Sequence, residues 1–389
     1  MGISQKDVGS RPLRILHVVG GMDRGGLETW LMHVLRTIDR TRFTMDFLVH
    51  AAQPCAYDEE IRALGSRVIY GGDHHSLWGY KKRFDEVLAL HGPYDVVHSH
   101  VAYFSGRVLR LAAGQGVRVR IAHSHSDRAA REAKFGIKRR LYVQLMQRMI
   151  RRFATAGLAA SEPAAASLFG ANWASERSVE VVHCGLDFSP YAEPIERAQG
   201  REQVREQVRA ELGIAPDALL IGHVGRFEAP KNHAHLLEVA RSLRRREPRA
   251  WLLMVGDGAL RADTERRASE VGLDQVVFAG VREDVPRLLR AMDVFVFPSI
   301  FEGLGLALVE AQAAGLPCVI SQSIPQEADV VPELVCRMGL EQQAGLWAEA
   351  VLQMAARPRP SARQAHRVVA NSSFCIAQSV ENLVRIYGR

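Results

Sequence analysis

Two glutamates eight positions apart, Glu302 and Glu310, are the residues of this chain best suited to binding a polar ligand. Glu302 lies in a glycine-rich stretch after a predicted strand at 293–297, and Glu310 lies one turn into an apolar helix predicted to begin near Leu306. Ligands of open α/β sheets bind outside the carboxyl ends of the strands. The first turn of a helix there offers backbone N–H groups and a positive dipole end. Two carboxylates and a row of amides therefore predict a ligand rich in hydroxyl groups.

Two cations lie five positions apart in another predicted turn, between the strand 218–224 and a helix at 232–246. Arg226 and Lys231 can both point to the side of the sheet where Glu302 is expected. A guanidinium fork and a compact ammonium together suit a diphosphate. The spacing therefore predicts a phosphate-binding turn.

Three further turns carry weaker signals. Gly256 lies in a Gly-rich turn that lacks the full dinucleotide fingerprint, and backbone groups near Arg282 either read a base edge or belong to a plain strand–turn–helix junction. The stretch 20–26 is rich in glycine but lacks the Lys-Ser/Thr of a P-loop, which disfavours a nucleoside triphosphatase. Its amides could still bind a phosphate or a sugar at a helix N-terminus.

Histidines are dense at two predicted strand ends, in the pairs His98/His100 and His123/His125. A metal site needs three or four convergent ligands. We expect alternation along each strand to turn one histidine of each pair inward, which leaves too few ligands, so no metal is expected. His125 is nearer the loop and is the better candidate for contact with a substrate.

Composition limits the class of protein. With 389 residues, two domains are expected. The five scattered cysteines show no metal or redox spacing and favour a reducing cytoplasm. The net charge of +7 owes much to the stretch 128–152, where basic and apolar residues alternate. That stretch either packs its apolar side on its own domain or lies on an anionic membrane. It has few aromatic residues, so nucleic-acid binding is not expected.

Alternating predicted strands and helices form two series, which is typical of α/β domains built on parallel sheets. We expect a loose tail at 1–12, a first domain at 13–190 and a polar connection at 191–216. A second domain then follows at 217–373.

These motifs resemble retaining glycosyltransferase family 4, in particular its bacterial capsule and exopolysaccharide branch. The resemblance covers essentially the whole chain and rests on Gly25-Gly26, Gly225-Arg226 with Lys231, the turn at Gly256 and the Glu302/Glu310 pair. It implies the GT-B fold, an α/β architecture of two Rossmann-like domains facing each other across a crevice. The first domain would bind the acceptor and the second a nucleotide-sugar donor, with a last helix at 374–389 returning to the first.

The resemblance also implies roles for individual residues. Arg226 and Lys231 would bind the donor diphosphate, Glu310 the ribose, and main chain near Arg282 the base. Glu302 would bind the sugar hydroxyls, His125 would contact the transferred sugar near its 6-position, and both would act with Arg226 and Lys231 in catalysis. The remaining residues implied in donor binding contribute mainly backbone: Gly25, Gly26, Gly225, Gly256, Gly303, Leu304, Gly305 and Leu306.

The expected reaction is retaining transfer of a hexosyl group from a nucleoside diphosphate sugar to a hydroxyl of a glycan or lipid-linked acceptor. A UDP-sugar is favoured as donor over GDP-mannose, and neither a metal nor another cofactor is expected. The expected location is the cytoplasm, with peripheral contact at the inner face of the membrane through 128–152 left open. Two alternatives remain, a nucleotide-sugar 2-epimerase of the same architecture and a non-catalytic nucleotide-sugar-binding subunit. Gly305 is a departure, because many relatives carry proline there.

Overall fold

The computed structural model describes residues 11–71, 77–127, 132, 135–176, 178–192 and 199–389, which divide between two compact units. The first contains Met1–Gly185 and Ile376–Arg389, and the second contains Leu186–Cys375. Each unit has one sheet in which every described strand pair is parallel. The expected α/β class with two parallel-sheet domains is therefore confirmed.

The sheet of the first unit has seven strands in the order β3-β2-β1-β4-β5-β6-β7. Its strand order reverses between β1 and β4, the position where ligands of such sheets bind. Helices cover parallel sheets on both faces, which is why these strands are nearly continuous runs of buried apolar residues. The strands are β1 Leu13–Val19, β2 Phe43–Val49, β3 Val68–Tyr70, β4 Val96–Ser99, β5 Val119–Ser124, β6 Ala156–Ala159 and β7 Val179–Val181.

Helices of the first unit follow the strands in alternation. In the first of them, Trp30, Leu31 and Val34 are fully buried at the spacing of one helix face. Ser161 caps a later helix by accepting a hydrogen bond from Ala164 N, and proline occupies its first turn. The helices are Gly26–Thr37, Asp58–Ala63, Leu77–His91, Ser105–Gly114, Ile137–Phe153 and Glu162–Phe169.

The last helix, Ile376–Tyr387, belongs to the first unit. The Trp30 indole N–H donates to Ser379 Oγ over 2.9 Å, and Leu383 and Tyr387 are fully buried. Phe374, which we expected to start this helix, lies instead in the core of the second unit, where its carbonyl accepts from Leu186 N.

The sheet of the second unit has six strands in the order β10-β9-β8-β11-β12-β13, with its reversal between β8 and β11. The strands are β8 Leu219–Val224, β9 Ala250–Val255, β10 Val276–Gly280, β11 Val294–Phe297, β12 Cys318–Ser321 and β13 Val335–Met338. The sequence pattern missed β13, because it is a four-residue strand that contains an arginine and is only half-buried. The helices are Gln199–Glu211, His233–Arg244, Arg261–Glu270, Val285–Ala291, Leu306–Ala313, Ala344–Ala356, Ala362–Ala370.

The predicted polar connection at 191–216 needs a correction. Most of its described part is the helix Gln199–Glu211, which belongs to the second unit. Val208 is fully buried in that unit's core. The equally buried Arg209 donates to the carbonyls of Ala218 and Ala291 and pairs with Asp293 at 2.8 Å. The polar composition of this stretch suggested a linker, but its Arg209 is buried and has hydrogen-bond and ion-pair partners in the second unit. Residues 186–190, assigned to the first domain, also lie in the second unit.

Only part of the expected tail lies within the described residues. Arg11 forms two hydrogen bonds of 2.7 and 2.8 Å to the carboxylate of Asp95, so the chain is attached from this residue onward. The remainder of the tail, 1–10, lies outside the described residues. Within the described chain, no helix combines the length and the apolar character that crossing a bilayer requires.

Candidate functional site

Lys231 and Glu302 meet where the strand order of the second sheet reverses. Lys231 lies in the turn after β8, and Glu302 lies in the loop after β11. The Lys231 ammonium donates to Glu302 Oε1 over 2.6 Å, and the two side chains are 20% and 12% exposed. Two residues predicted for ligand binding are thus in direct contact at the position where ligands of this architecture bind.

The turn after β8 is shaped to hold Lys231. A Cβ added to Gly225 would lie 3.2 Å from Lys231 Cε, so the lysine stem lies close against a glycine. The ammonium lies 4.8 Å from the centre of the Phe297 ring, a favourable cation–π contact. Asn232, the next residue, has a left-handed φ of 55°, which asparagine tolerates better than most residues.

Arg226 is the exposed cation of the same turn. Its side chain is 57% exposed, and its guanidinium lies 3.4 Å from a carboxylate oxygen of Glu228. Surface pairs of this kind contribute little to stability. A ligand anion that binds this guanidinium therefore displaces an interaction of small value.

Gly256 is required for packing between two turns. Its φ is 134°, and a Cβ there would lie 2.1 Å from the carbonyl oxygen of Gly225. The turns after β8 and β9 therefore touch backbone to backbone, and Gly256 N donates to the Gly280 carbonyl over 2.8 Å. The glycine spacing that the sequence offered as a weak binding signal thus has a structural cause.

The loop after β11 leads directly into the helix Leu306–Ala313. Gly305 is its N-cap with a left-handed φ of 85°, and Leu304 is buried beside it. Proline is fixed near −65°, so it could not take this backbone conformation. Helix N-termini present amides without intrahelical acceptors. Leu306 lies in the first turn here, and Gly303 and Leu304 precede the N-cap in the loop.

Glu310 has a partner that the sequence did not reveal. The Tyr191 hydroxyl donates to Glu310 Oε1 over 2.8 Å, across 119 positions of sequence. Burial raises the pKa of Glu310 to about 7, although the Tyr191 hydrogen bond acts in the opposite direction. The same burial raises the pKa of Tyr191 well above its ordinary value. Tyr191 therefore orients Glu310, and no local sequence pattern around residue 191 predicts this contact.

Arg282 follows β10, the edge strand of the sheet. Its guanidinium makes two hydrogen bonds of 2.7 and 2.8 Å to Asp284, and this pairing raises the pKa of Arg282. Because the side chain already has a partner, only the main chain here fits the predicted contact with a base.

In the first unit, Gly25 and Gly26 follow β1 at the reversal of the strand order. Gly25 is the extended N-cap of the helix Gly26–Thr37 and supplies no side-chain cap. Its first turn therefore presents amides suited to an anion.

The expectation for the histidines is wrong about their directions. Residues two apart in a strand share a face, so both members of each pair point the same way, and His17 of β1 joins them. His98 Nε2 lies 3.1 Å from His123 Nδ1, and His100 Nδ1 lies 2.9 Å from His125 Nε2. We call these five residues the histidine cluster: His17, His98, His100, His123 and His125.

Each ring of the histidine cluster has at least one polar neighbour. His17 Nδ1 lies 3.0 Å from His100 Nε2, and His125 Nδ1 lies 3.5 Å from the Cys184 sulfur. Burial lowers the pKa of His17 and of His125 to about 3, so these rings are neutral at pH 7. His125, predicted to contact a sugar, is half-buried with both ring nitrogens already engaged.

Comparison with known families accounts for both units. Residues 25–185 match the glycosyl transferase 4-like domain, and residues 204–368 match the glycosyl transferases group 1. The chain is 37% identical over 378 residues to the putative glycosyltransferase EpsF of Bacillus subtilis, covering 96% of each protein. It is 27% identical over 238 residues to an Escherichia coli UDP-Gal:alpha-D-GlcNAc-diphosphoundecaprenol alpha-1,3-galactosyltransferase, covering 59% of this chain and 58% of that one.

Solved structures support the same fold. The crystal structure of Anabaena Alr3699/HepE in complex with UDP superposes with a TM-score of 0.77 at 17% identity, over 97% of this chain and all of that one. The lipopolysaccharide biosynthesis glycosyltransferase WaaG superposes with a TM-score of 0.72 at 17% identity, over the same shares. With the family matches and the EpsF relative, this shows that the chain is a glycosyltransferase and belongs to the family 4-type enzymes of GT-B fold.

Proposed function

We propose that this enzyme transfers a hexosyl group, with retention at the anomeric carbon, from a nucleoside diphosphate sugar to a hydroxyl of a glycan or lipid-linked acceptor in bacterial polysaccharide biosynthesis. A UDP-sugar is the favoured donor. Support for this nucleotide comes from HepE, solved with UDP, and from the E. coli relative named for UDP-Gal.

The Lys231–Glu302 contact carries this proposal. A cation and a carboxylate joined over 2.6 Å suit the two sides of a sugar–phosphate bond. The ammonium, with Arg226, neutralises the diphosphate as it leaves, and the carboxylate accepts hydrogen bonds from sugar hydroxyls. Donors and acceptors fixed in advance stabilise charge that develops in the transition state.

The other residues complete the donor site in this proposal. Glu310, oriented by Tyr191, accepts from the ribose hydroxyls, and the amides at the start of the helix Leu306–Ala313 bind the sugar. His125 contacts the transferred sugar, and Gly25 and Gly26 bind near the β-phosphate. The acceptor hydroxyl attacks the anomeric carbon on the face from which the diphosphate leaves, and the leaving phosphate takes the proton of that hydroxyl. Attack on this face retains the anomeric configuration.

Arg226→Ala tests the diphosphate contact, because Arg226 is exposed and its loss should not disturb folding. We expect UDP affinity to fall by about 1.5–3 kcal/mol, which is about 10- to 150-fold, as a charge-assisted hydrogen bond is lost. Calorimetric titration with UDP and with GDP gives the affinity and the preferred base.

The matched control is Arg241→Ala, which removes another exposed arginine of the second unit with a surface carboxylate partner at 3.9 Å. Equal affinities in the parent and in Arg226→Ala would contradict the proposal.

We propose that transfer needs no metal, because Arg226 and Lys231 supply the positive charge that a divalent ion would otherwise provide. Turnover of a radiolabelled UDP-sugar should continue in excess EDTA. Complete loss of turnover that Mn²⁺ restores would overturn this point.

The outer face of the helix Ile137–Phe153 suits contact with a membrane, where a lipid-linked acceptor would be found. Ile137, Leu141 and Leu145, spaced four apart, are 74%, 59% and 53% exposed. The helix contains six Lys or Arg and no acidic residue. The opposite face buries Met146 and Ile150 in the first unit. Exposed apolar residues flanked by positive charge suit an anionic bilayer surface, and we propose this as the partner.

The basic residues of this region differ in their contacts, which supports different roles in this proposal. Arg139 makes two hydrogen bonds of 2.7 Å to Glu132 and lies over the Tyr142 ring, so it stabilises the helix rather than facing lipid. Lys138, Arg148 and Arg152 are exposed beside the apolar stripe. The basic residues Arg128, Arg131 and Lys134 lie outside the described residues.

Co-sedimentation with anionic and neutral vesicles, at low and high salt, tests this surface. We expect binding to anionic vesicles that salt weakens and that Leu141→Gln with Leu145→Gln removes. Leu346→Gln, which alters a leucine of the second unit that is 49% exposed, is the control. Equal binding of the parent and the double variant would rule out the surface. Self-association abolished by the same change would assign the stripe to a second copy.

A further inference from the structure

The histidine cluster contains a set of nitrogens that converge on one point. His100, His123 and His125 each place one ring nitrogen within 4.8 Å of the others. His123 lies in β5, and His100 and His125 directly follow β4 and β5, two neighbouring strands. This convergence involves no residue of the Lys231–Glu302 contact.

The second nitrogen of each of these rings has a partner outside the set. His123 Nδ1 faces His98, His100 Nε2 faces His17, and His125 Nδ1 faces Cys184. Histidines that bind metal usually donate their other N–H to such a partner, which fixes the tautomer and turns the remaining lone pair to the ion. The inner atoms are then His123 Nε2, His125 Nε2 and His100 Nδ1.

His123 Nε2 is fully buried and has no hydrogen-bond partner among the described residues. A buried N–H without an acceptor is rare in proteins. The proton is therefore better placed on Nδ1, donating to His98, and this leaves an unshared lone pair on the buried Nε2. An unused lone pair of this kind is what a metal ion requires.

We propose that His100, His123 and His125 form a site for one divalent transition-metal ion of the Zn²⁺ or Co²⁺ type. Zn–N bonds of about 2.0–2.1 Å place tetrahedral ligand nitrogens about 3.3 Å apart. The 2.9 Å between His100 Nδ1 and His125 Nε2 needs only a small opening to reach this spacing. His100 binds with its proton on Nε2, donated to His17 Nδ1, so no net proton is released. His17 then carries its own proton on its buried Nε2, which has no partner among the described residues, and ion binding must offset that cost.

The second convergent set, His17, His98 and His100, fits an ion less well. All three rings are buried, and both nitrogens of His98 are engaged by residues outside this set, Tyr387 and His123, so His98 has no nitrogen left for an ion. His125, in contrast, is half-buried and gives the chosen site a route to solvent. An ion held by these three histidines would keep a fourth coordination position for water or another oxygen ligand. Three protein ligands and one open position are typical of catalytic rather than structural zinc sites.

Under the proposed function, in which His125 contacts the transferred sugar, a bound ion competes for that imidazole and inhibits transfer. The ion does not bind the donor diphosphate, which Arg226 and Lys231 neutralise without a metal in the proposed function. Zn²⁺ should inhibit turnover, and EDTA should restore it.

Cobalt titration of the full chain, after EDTA treatment and buffer exchange, tests the site without donor or acceptor. We expect one equivalent of Co²⁺ to give the visible absorption of a four-coordinate ion, which Zn²⁺ then displaces. His123→Gln and His125→Gln should each weaken binding at least about tenfold. His50→Gln, which alters a half-buried histidine of the same unit paired with Tyr80, should not.

Thermal unfolding of each variant establishes that it is folded, and the half-buried His125 provides a second test should His123→Gln fail to fold. Absence of four-coordinate absorption in the parent, or unchanged affinity in a folded variant, overturns the metal site. Because the readout uses no sugar nucleotide, either result leaves the glycosyltransferase proposal to its own experiment.

Discussion

Glu310 and Lys231 both depend on contacts that hold them in place before any ligand binds. Tyr191 donates to Glu310, and the Lys231 stem lies against Gly225. Each contact joins residues from different segments, so the side chains are oriented by the fold and not by their neighbours in sequence. An oriented site loses less side-chain entropy on binding.

Glu310 predicts a pH dependence of stability. Its pKa of about 7 in the folded protein lies above the ordinary 4.5, so between these values the folded state holds a proton that the unfolded state has lost. The free energy of unfolding should therefore contain a contribution that is full below pH 4.5 and declines as the pH rises to about 7. In Glu310→Gln this decline, on the order of 3 kcal/mol in the parent, should be absent.

Urea unfolding of the parent and of Glu310→Gln at several pH values between 4.5 and 8 measures this difference. Glu333→Gln, at an exposed glutamate of the same unit, is the control. If the difference between the parent and Glu310→Gln does not vary with pH, Glu310 is not the titrating group.

Helix starts position the ligand-binding backbone at the scale of single elements. The helix Leu306–Ala313 begins after a glycine with positive φ, and the helix His233–Arg244 begins after Asn232, which is also left-handed. Both follow strands at the reversal of the sheet. These two backbone turns bring Glu302 and Lys231 together.

Gly305→Ala should destabilise the second unit, because a left-handed residue with a side chain costs roughly 1–2 kcal/mol. A Cβ there would also lie 3.1 Å from Ile324 Cγ2. Denaturant unfolding measures the loss. Gly345→Ala, within the helix Ala344–Ala356 and with no close contact for the new methyl, should instead be neutral or stabilising. Similar effects of the two changes would show that φ at 305 is not the cause.

At the scale of the whole molecule, the first unit is built from both ends of the chain. The helix Ile376–Tyr387 buries Leu383 completely and gives hydrogen-bond partners to Trp30 and His98. The second unit is therefore an insertion in the sequence of the first. Its own core includes Leu186 and Phe374, close to where the chain enters and leaves it.

Leu383→Ala should lower the stability of the first unit by about 2–5 kcal/mol, since it leaves a cavity in a packed site. Hydrogen exchange followed by mass spectrometry should show faster exchange in β1 and β4, with β8 and β11 little changed. Glu381→Ala, at an exposed position of the same helix, should leave exchange unaltered. Faster exchange confined to the second unit would contradict the assignment of this helix.

The sequence by itself determined the fold class, most strands and the enzyme family. Buried parallel strands are continuous apolar runs, and the motifs around Arg226 and Glu302 are local, so both can be recognised without coordinates. The strand β13 and the helix Gln199–Glu211 were misjudged for the opposite reason. In the helix, Arg209 pairs with Asp293 far along the chain, and in the short strand β13 Arg337 pairs with Asp329 outside the strand, so composition alone shows neither partner.

Only the tertiary structure decided which of these side chains meet. The Tyr191–Glu310 bond spans 119 positions, and the histidine cluster draws on β1, β4 and β5. Side-chain direction within a strand follows from its two-residue period, but the distance between strands depends on the order of the sheet. That order placed β1 beside β4, and β8 beside β11, and so brought together residues that the chain keeps apart.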